Sequence, residues 1–273
     1  MTSILALAAS EFRIALRNRW VAIAIVMMTL FAVVLTVAGT AATGTLGVDR
    51  LTVTVASLIS LGVYLLPLLA LLLSFDAVAG ECERGTLALM LTYPVGRAEI
   101  LAGKFIAHLG ILALAATIGF GTAAAIALIA DPEASVGLPA LFRLFWTAPV
   151  LGAAFLGIGY ALSAVARRPG AAAGLAIAVW LVVVVLYDIA LLAAIVTDGG
   201  GTFTVDFFPW LLAANPADAF RLFNLAASEA TALASGVDGA AASMPPAATL
   251  VAILAWPLLA LAFAHLVFRR VTP

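Results

Sequence analysis

Residues Val53–Phe75 read VTVASLISLGVYLLPLLALLLSF, 23 consecutive residues without a charge. A helix crosses the hydrocarbon core of a bilayer with about 20 apolar residues, so this stretch is read as a membrane span. Working outward, the same template finds Trp20–Gly39, Ile106–Ala130, Leu144–Val165, Ala171–Val196 and Thr249–Phe268. Polar breaks separate them. Thr43–Leu51 carries Gly44, Gly47, Asp49 and Arg50, and Asp76–Lys104 is the longest charged stretch. Asp131-Pro132-Glu133 and Arg167-Arg168-Pro169 are short, while Thr197–Pro246 is rich in Gly, Asp, Ser and Pro. The expected fold is all-α, with six transmembrane helices in a single transmembrane domain over residues 1–273. Within it, residues 1–19 form a surface helix, 76–104 an inner loop and 197–247 an outer segment.

Composition agrees. Of 273 residues, 65% are hydrophobic and 10% charged, with a mean hydropathy of +1.22. Soluble domains carry roughly 45–50% and about 25%, so a water-soluble enzyme is excluded. Lys+Arg 13 against Asp+Glu 14 leaves no basic excess for nucleic-acid phosphates. The single cysteine, Cys82, excludes an internal disulfide and an all-Cys metal site. No Walker sequence is present: six residues separate Gly96 from Gly103, and Phe105 follows Lys104 where Ser or Thr would hold Mg²⁺. HExxH, GxSxG and CxxC motifs are also absent. The chain is therefore expected to catalyse no reaction and bind no cofactor, with any energy source on another chain.

Basic residues favour the cytoplasmic side. With the N-terminus inside, the inner segments hold Arg13, Arg17, Arg19, Arg84, Arg97, Lys104, Arg167, Arg168, Arg269 and Arg270. The outer side keeps Arg50, Arg143 and Arg221, together with Asp49, Asp131, Glu133, Asp198, Asp206, Asp218, Glu229 and Asp238. Both termini are expected in the cytoplasm of a cell whose plasma membrane the chain spans. The apolar run after Arg19 is too long for a cleaved signal peptide. Residues Ser3–Arg19 read as an amphipathic helix, with Ser3, Ser10, Arg13 and Arg17 on one side and Ile4, Leu7, Ala8, Phe12 and Ala15 on the other. A basic flank that merely sets topology needs the same arginines.

The inner loop Gly80–Lys104 reads GECERGTLALMLTYPVGRAEILAGK. A short helix over Thr86–Leu91 is expected, then a stop at Tyr93-Pro94, then a restart with Gly96 as N-cap and Glu99 three residues on. Glu81, Glu83, Arg84 and Arg97 flank the short helix. Charged, partly helical loops are common in membrane proteins, so this pattern alone assigns no partner.

The string Glu83-Arg84-Gly85-Thr86-Leu87…Pro94-Val95-Gly96-Arg97…Gly103-Lys104 resembles the loop of ABC-2-type transporter permeases. Gly96 stands where that family often has Ser, a difference of a few tenths of a kcal/mol in capping. The resemblance implies a type V exporter-like permease, whose loop forms a coupling helix docking into a separate ATPase subunit that binds ATP and Mg²⁺. It would give Glu81, Glu83, Arg84, Thr86, Leu87, Arg97 and Glu99 an ATPase-coupling role. Two further strings, WLVVVVLYDIALLAAIV at Trp180–Val196 and LLAANPADAFRLFNL at Leu211–Leu225, resemble the permeases that serve maturation of nitrous oxide reductase. That narrower resemblance implies a homodimer, an ATPase dimer and a periplasmic β-helical accessory protein, with a copper chaperone as a further partner. The complex would deliver sulfur or copper to the copper–sulfide centre of the reductase. An ABC-2 exporter of another drug, lipid or ion is the alternative, and a stand-alone membrane enzyme or secondary transporter is a rival from another class.

Asp188 lies about eight residues, or 12 Å of helix, from the outer end of the fifth span. Ionisable groups at that depth face a bundle interior or wet cavity. Asp188 with Tyr187 is read as a gate or pathway pair, or as a packing pair. Asn215–Ala227 reads as an outer helix with Asn215 as N-cap, Pro216 first and Asp218 in the first turn. On the resemblance, Asn215, Asp218, Phe220 and Arg221 would touch the periplasmic partner; packing onto the bilayer is the other reading. Met27 and Met28 offer soft ligands to Cu(I), but they point about 100° apart, and packing or lipid contact suits them better. His108 and His265 are each alone in sequence. Cys82 sits among acids, which oppose thiolate formation. No metal ligands are expected. Small residues at Gly170–Gly174 allow close helix approach and would suit a dimer contact.

Overall fold

The structure, a computed structural model, describes residues 2–38, 49–132, 134–225 and 246–272. Its helices are α1 (Thr2–Leu16), α2 (Arg19–Ala38), α3 (Arg50–Ser74), α4 (Asp76–Glu83), α5 (Thr86–Met90), α6 (Arg97–Ala130) and α7 (Leu138–Ala166). They continue as α8 (Pro169–Trp180), α9 (Tyr187–Asp198), α10 (Phe208–Ala214), α11 (Pro216–Leu225) and α12 (Pro246–Phe268). Among the described residues, six helical stretches are long and apolar enough to cross a membrane: α2, α3 with α4, α6, α7, α8 with α9, and α12. Prolines 67, 149 and 257 sit inside three of them, as neighbouring helices in a membrane permit. Residues Glu133, Glu229 and Asp238, expected on the outer side, lie outside the described residues.

The fourth span, α7, is the hub. Its most apolar window is 72% buried, against 56% for the second span and 11% for the fifth. Small residues let its neighbours approach. A Cβ on Gly157 would stand 2.7 Å from Ala260 Cβ and 2.9 Å from that residue's carbonyl carbon, so α7 and α12 touch almost backbone to backbone. Phe120, Phe155 and Tyr160 fill the centre. The fifth span leaves Ile177, Val182, Ile189, Leu192 and Val196 more than half exposed.

Side-chain contacts sort the ends of the spans. At one end α1 lies along the start of α6, where a Cβ on Gly103 would meet Leu7 at 2.8 Å, and Arg97 reaches the end of α12. At the other end Gly137 abuts Leu51 and Thr52, and Arg143 bonds the Phe223 carbonyl. The ten basic residues expected inside thus occupy segments at the first end, and Arg50, Arg143 and Arg221 the second.

Three expectations need correction. The third span starts at Arg97 rather than Ile106, because the restart at Gly96 continues without a break into the span as one 34-residue helix. The fourth starts at Leu138, six residues before Leu144. The fifth is not a regular α-helix: Leu181–Leu186 forms a π turn in which the Tyr187 N–H bonds the Val182 carbonyl, five residues back. Such insertions recur at functional sites.

Candidate functional site

At the loop end, Ser163 of α7 holds the break between α3 and α4. Its Oγ donates to the Phe75 carbonyl at 2.5 Å and accepts the Val78 and Ala79 N–H groups at 3.0 and 2.9 Å. A new helix leaves its first N–H groups unpartnered; here another span caps them. Gly85, at φ 70, turns the chain from α4 into α5, a conformation glycine adopts without steric cost.

Beneath this turn lies a buried ion triad. Lys104 Nζ donates to Glu11 at 2.6 Å and to Glu81 at 3.1 Å, and Glu81 also accepts the Thr86 hydroxyl. The triad joins α1, α4 and α6. On the outside, Arg84 pairs with Asp76 at 3.2 Å. Arg97 turns away from the loop tip: its Nη1 donates to the Phe268 and Val271 carbonyls at 2.8 and 2.5 Å, and its guanidinium stands 5.7 Å from the Phe268 ring. Glu99 accepts the Gly96 N–H at 2.9 Å and so caps α6.

Of the seven residues expected to couple to an ATPase, the structure therefore puts Glu83 and Arg84 on the exposed tip. Glu81 is in the triad, Thr86 bonds it, Leu87 is buried in the core, Arg97 clamps α12 and Glu99 caps a helix. These five are held by contacts within the chain. Leu89 and Tyr93, 61% and 64% exposed, complete the tip. Their apolar side chains, standing out of a charged loop, were the signal for them in the sequence.

At the other end, the chain leaves α9 through Gly199 and Gly200, both at positive φ. It turns back through a π turn at Phe203–Phe207 into α10, then into α11. Asn215 is the hinge. Its Oδ1 accepts the Ala217 N–H at 2.9 Å, as an N-cap does, while its Nδ2 donates to the Val183 carbonyl at 2.7 Å. That carbonyl is the one the π turn diverts from Tyr187. Tyr187 in turn donates its hydroxyl to the Leu211 carbonyl at 2.7 Å.

Asp188 meets α11 directly. Arg221 Nη2 donates to its Oδ2 at 2.7 Å, and Nη1 of the same guanidinium stands 3.3 Å from Asp218 Oδ1. Two residue sets that the sequence kept apart, Tyr187 with Asp188 and Asn215 with Asp218 and Arg221, form one cluster. Burial pushes the Asp218 carboxyl up to about 7, against the lowering pull of Arg221 and with further upward push from Asp188.

This geometry also corrects the partner-contact reading of α11. Asn215, Asp218 and Phe220 are at most 4% exposed; the helix seats them against α3, α7 and α12 rather than presenting them outward. Phe223 packs edge-on to Trp146, and Asn224 accepts the Thr147 hydroxyl at 3.0 Å. The exposed apolar residues of the hairpin are Val205, Phe207 and Trp210. Elsewhere, Met28 is buried beside Gly119 while Met27 is 42% exposed, and His108 Nδ1 lies 2.8 Å from the Tyr160 hydroxyl.

Six stretches able to cross a membrane, a helix break capped from another span before an exposed loop tip, and a helical hairpin at the opposite end make up the architecture of a multi-pass membrane protein. The chain belongs to the ABC-2 family of transporter proteins, whose family model matches residues 5–272. It is 44% identical over 268 residues to the probable ABC transporter permease protein NosY of Pseudomonas aeruginosa, covering 97% of each chain. It is also 44% identical over 277 residues to the probable NosY permease of Stutzerimonas stutzeri, covering 99% of each. The protein is a multi-pass membrane permease of an ABC transporter, a class that works with an ATPase partner.

Proposed function

We propose that this permease serves maturation of nitrous oxide reductase, coupling ATP hydrolysis on a separate ATPase dimer to transport or conformational change at the periplasmic face. The observation that carries the reading is the 44% identity to NosY permeases along almost the whole chain. Two copies of this chain pair in the membrane, a role suited to the fifth span, which its own fold leaves exposed. The loop end faces the cytoplasm, a reading supported by the bias of ten basic residues against three. There Glu83, Arg84, Leu89 and Tyr93 meet the ATPase, and Ser163 carries loop movement into α7. At the periplasmic face, the exposed Phe207 and Trp210 take the place of Asn215, Asp218 and Phe220 as the surface for the accessory protein. The cargo delivered toward the copper–sulfide centre is sulfur or copper.

The test is complementation of a strain lacking the permease gene. Wild-type permease restores the spectroscopic signature of the copper–sulfide centre and co-purifies with its ATPase. A permease that recovers the ATPase but never the centre belongs to another ABC-2 exporter; one that recovers neither overturns the ABC reading of the loop.

A further inference from the structure

Asp218 is 1% exposed, and neither of its carboxyl oxygens makes a hydrogen bond. Arg221 Nη1, 3.3 Å from Oδ1, is too poorly aligned to donate to it. The guanidinium is instead committed through Nη2 to Asp188, a quarter-exposed side chain that accepts at 2.7 Å. Other donors nearby are spent: the Tyr187 hydroxyl goes to the Leu211 carbonyl, and Asn215 Nδ2 goes to Val183.

The charges around the cluster are few. The second span contributes Tyr64, the fifth Tyr187 and Asp188, and α11 Asp218 and Arg221. Helix α10 has no ionisable residue, and α12 has only His265, in its last turn at the loop end. On α7 the one charge is Arg143, bound to the Phe223 carbonyl and stacked on its ring at 4.9 Å. Two ionised carboxylates against one arginine would leave a net negative charge in a water-poor pocket, with both Asp218 oxygens unsatisfied. A buried anion in that state lowers its charge by binding a proton. Asp218 is the more deeply buried of the two and the one without a donor, so the proton belongs on it.

We infer that Asp218 binds a proton from solvent beside the Arg221 guanidinium that Asp188 holds, making the seat of α11 on the fifth span a proton-binding site. The protonated carboxyl gains the O–H donor that the pocket lacks, and the cluster becomes neutral. Neither the ATPase contact nor the cargo enters this inference, so its failure leaves the proposed function standing.

The sign of the pH effect is fixed. An acid that is raised in the folded state binds more protons folded than unfolded between its two pKa values, so folding stability falls as pH rises from about 4 to about 7. The experiment is infrared pH-difference spectroscopy of the full chain in lipid nanodiscs, beside its thermal unfolding. A protonated-carboxyl C=O band is expected to vanish as pH rises through about 7 in wild type and to be absent from Asp218→Asn. Asp188→Asn, which removes the like charge and frees Arg221, moves the midpoint to lower pH. Asp218→Asn unfolds at least as high as wild type at pH 8 and loses this part of the pH dependence. Identical bands in wild type and Asp218→Asn, or an unmoved midpoint in Asp188→Asn, overturn the bound proton. So does a signal that follows exchange of sodium for a bulky organic cation at constant pH, since a metal cation would then hold the orphaned oxygens.

Discussion

Arg221 joins the hairpin of α10 and α11 to the fifth span through a 2.7 Å bond to Asp188. The partner span is the least buried of the six; this pair, the Asn215–Val183 bond, the Tyr187–Leu211 bond and the Leu191–Leu222 apolar cluster fix the hairpin of α10 and α11 to it. Asp188 sits two residues beyond the end of the π turn, where the Val183 carbonyl becomes available to Asn215. Interrupted span and hairpin are therefore one construction.

Arg221→Met removes the cation and leaves Asp188 and Asp218 in place. For side chains a quarter exposed, the cost is expected at about 1–3 kcal/mol. Asp188→Asn in the same background recovers part of it, because the charge that Arg221 compensated goes too. Thermal unfolding of the purified permease reads both. Equal stability of Arg221→Met and wild type would mean that the pair contributes nothing to seating the hairpin.

The loop arginines separate into two kinds. Arg97 supplies two hydrogen bonds to the last carbonyls of α12 and a contact with Phe268; Arg97→Ala is expected to lower stability by about 1–3 kcal/mol. Arg84 is half exposed, and its pairs with Asp76 and Glu81 are surface ones, so Arg84→Ala costs at most about 1 kcal/mol. At an ATPase interface the order reverses. Glu83→Ala with Arg84→Ala is expected to weaken co-purification of the ATPase while the fold survives. Full co-purification and full ATPase stimulation in that double variant would take the loop tip out of the docking site.

Topology is checked with reporter tags. Tags after Thr2, Tyr93 and Pro273 are expected to report cytoplasm, and tags at Gly199 and Gly239 the periplasm, as the basic bias demands. A cytoplasmic signal at Gly199 would break the span count.

The six spans were legible because a bilayer imposes one length and one chemistry on every crossing helix, as Val53–Phe75 shows. Their edges were not: Gly96 with Glu99 was legible as a helix start, but hydropathy cannot reveal that the helix then runs unbroken into the span. Asp188 stood out by depth alone, yet its partner lies 33 residues away in a segment read as a surface. The amphipathic pattern of α11 gave no direction for its buried face; Phe220 and Asp218 turn inward because α3, α7 and α12 leave a mouth that the helix fills. Ser163 was invisible, since a serine in an alanine-rich span carries no sign that it caps a helix 84 residues earlier.

Lys104 gives the strictest test of the loop end. It is 4% exposed and is held by Glu11 and Glu81 from two other helices. Removing one member of a buried ionic group leaves the others uncompensated, so Lys104→Met is expected to cost about 3–5 kcal/mol. Neutralising the carboxyls as well should return most of that loss, because a group replaced as a whole leaves no orphaned charge. The rescue variant is Glu11→Gln, Glu81→Gln and Lys104→Met together, in which residue 81 still accepts from Thr86. Thermal unfolding in nanodiscs should rank wild type and the triple variant close together, with Lys104→Met well below both. A silent Lys104→Met would show that water, not Lys104, satisfies Glu11 and Glu81. A triple variant as unstable as the single would show that the ionic geometry itself, rather than avoidance of unpaired charge, fastens α1 to the loop. With the triple variant folded, its ATP-driven activity then reads whether charge at this junction is needed to carry movement from the loop into α1 and α6.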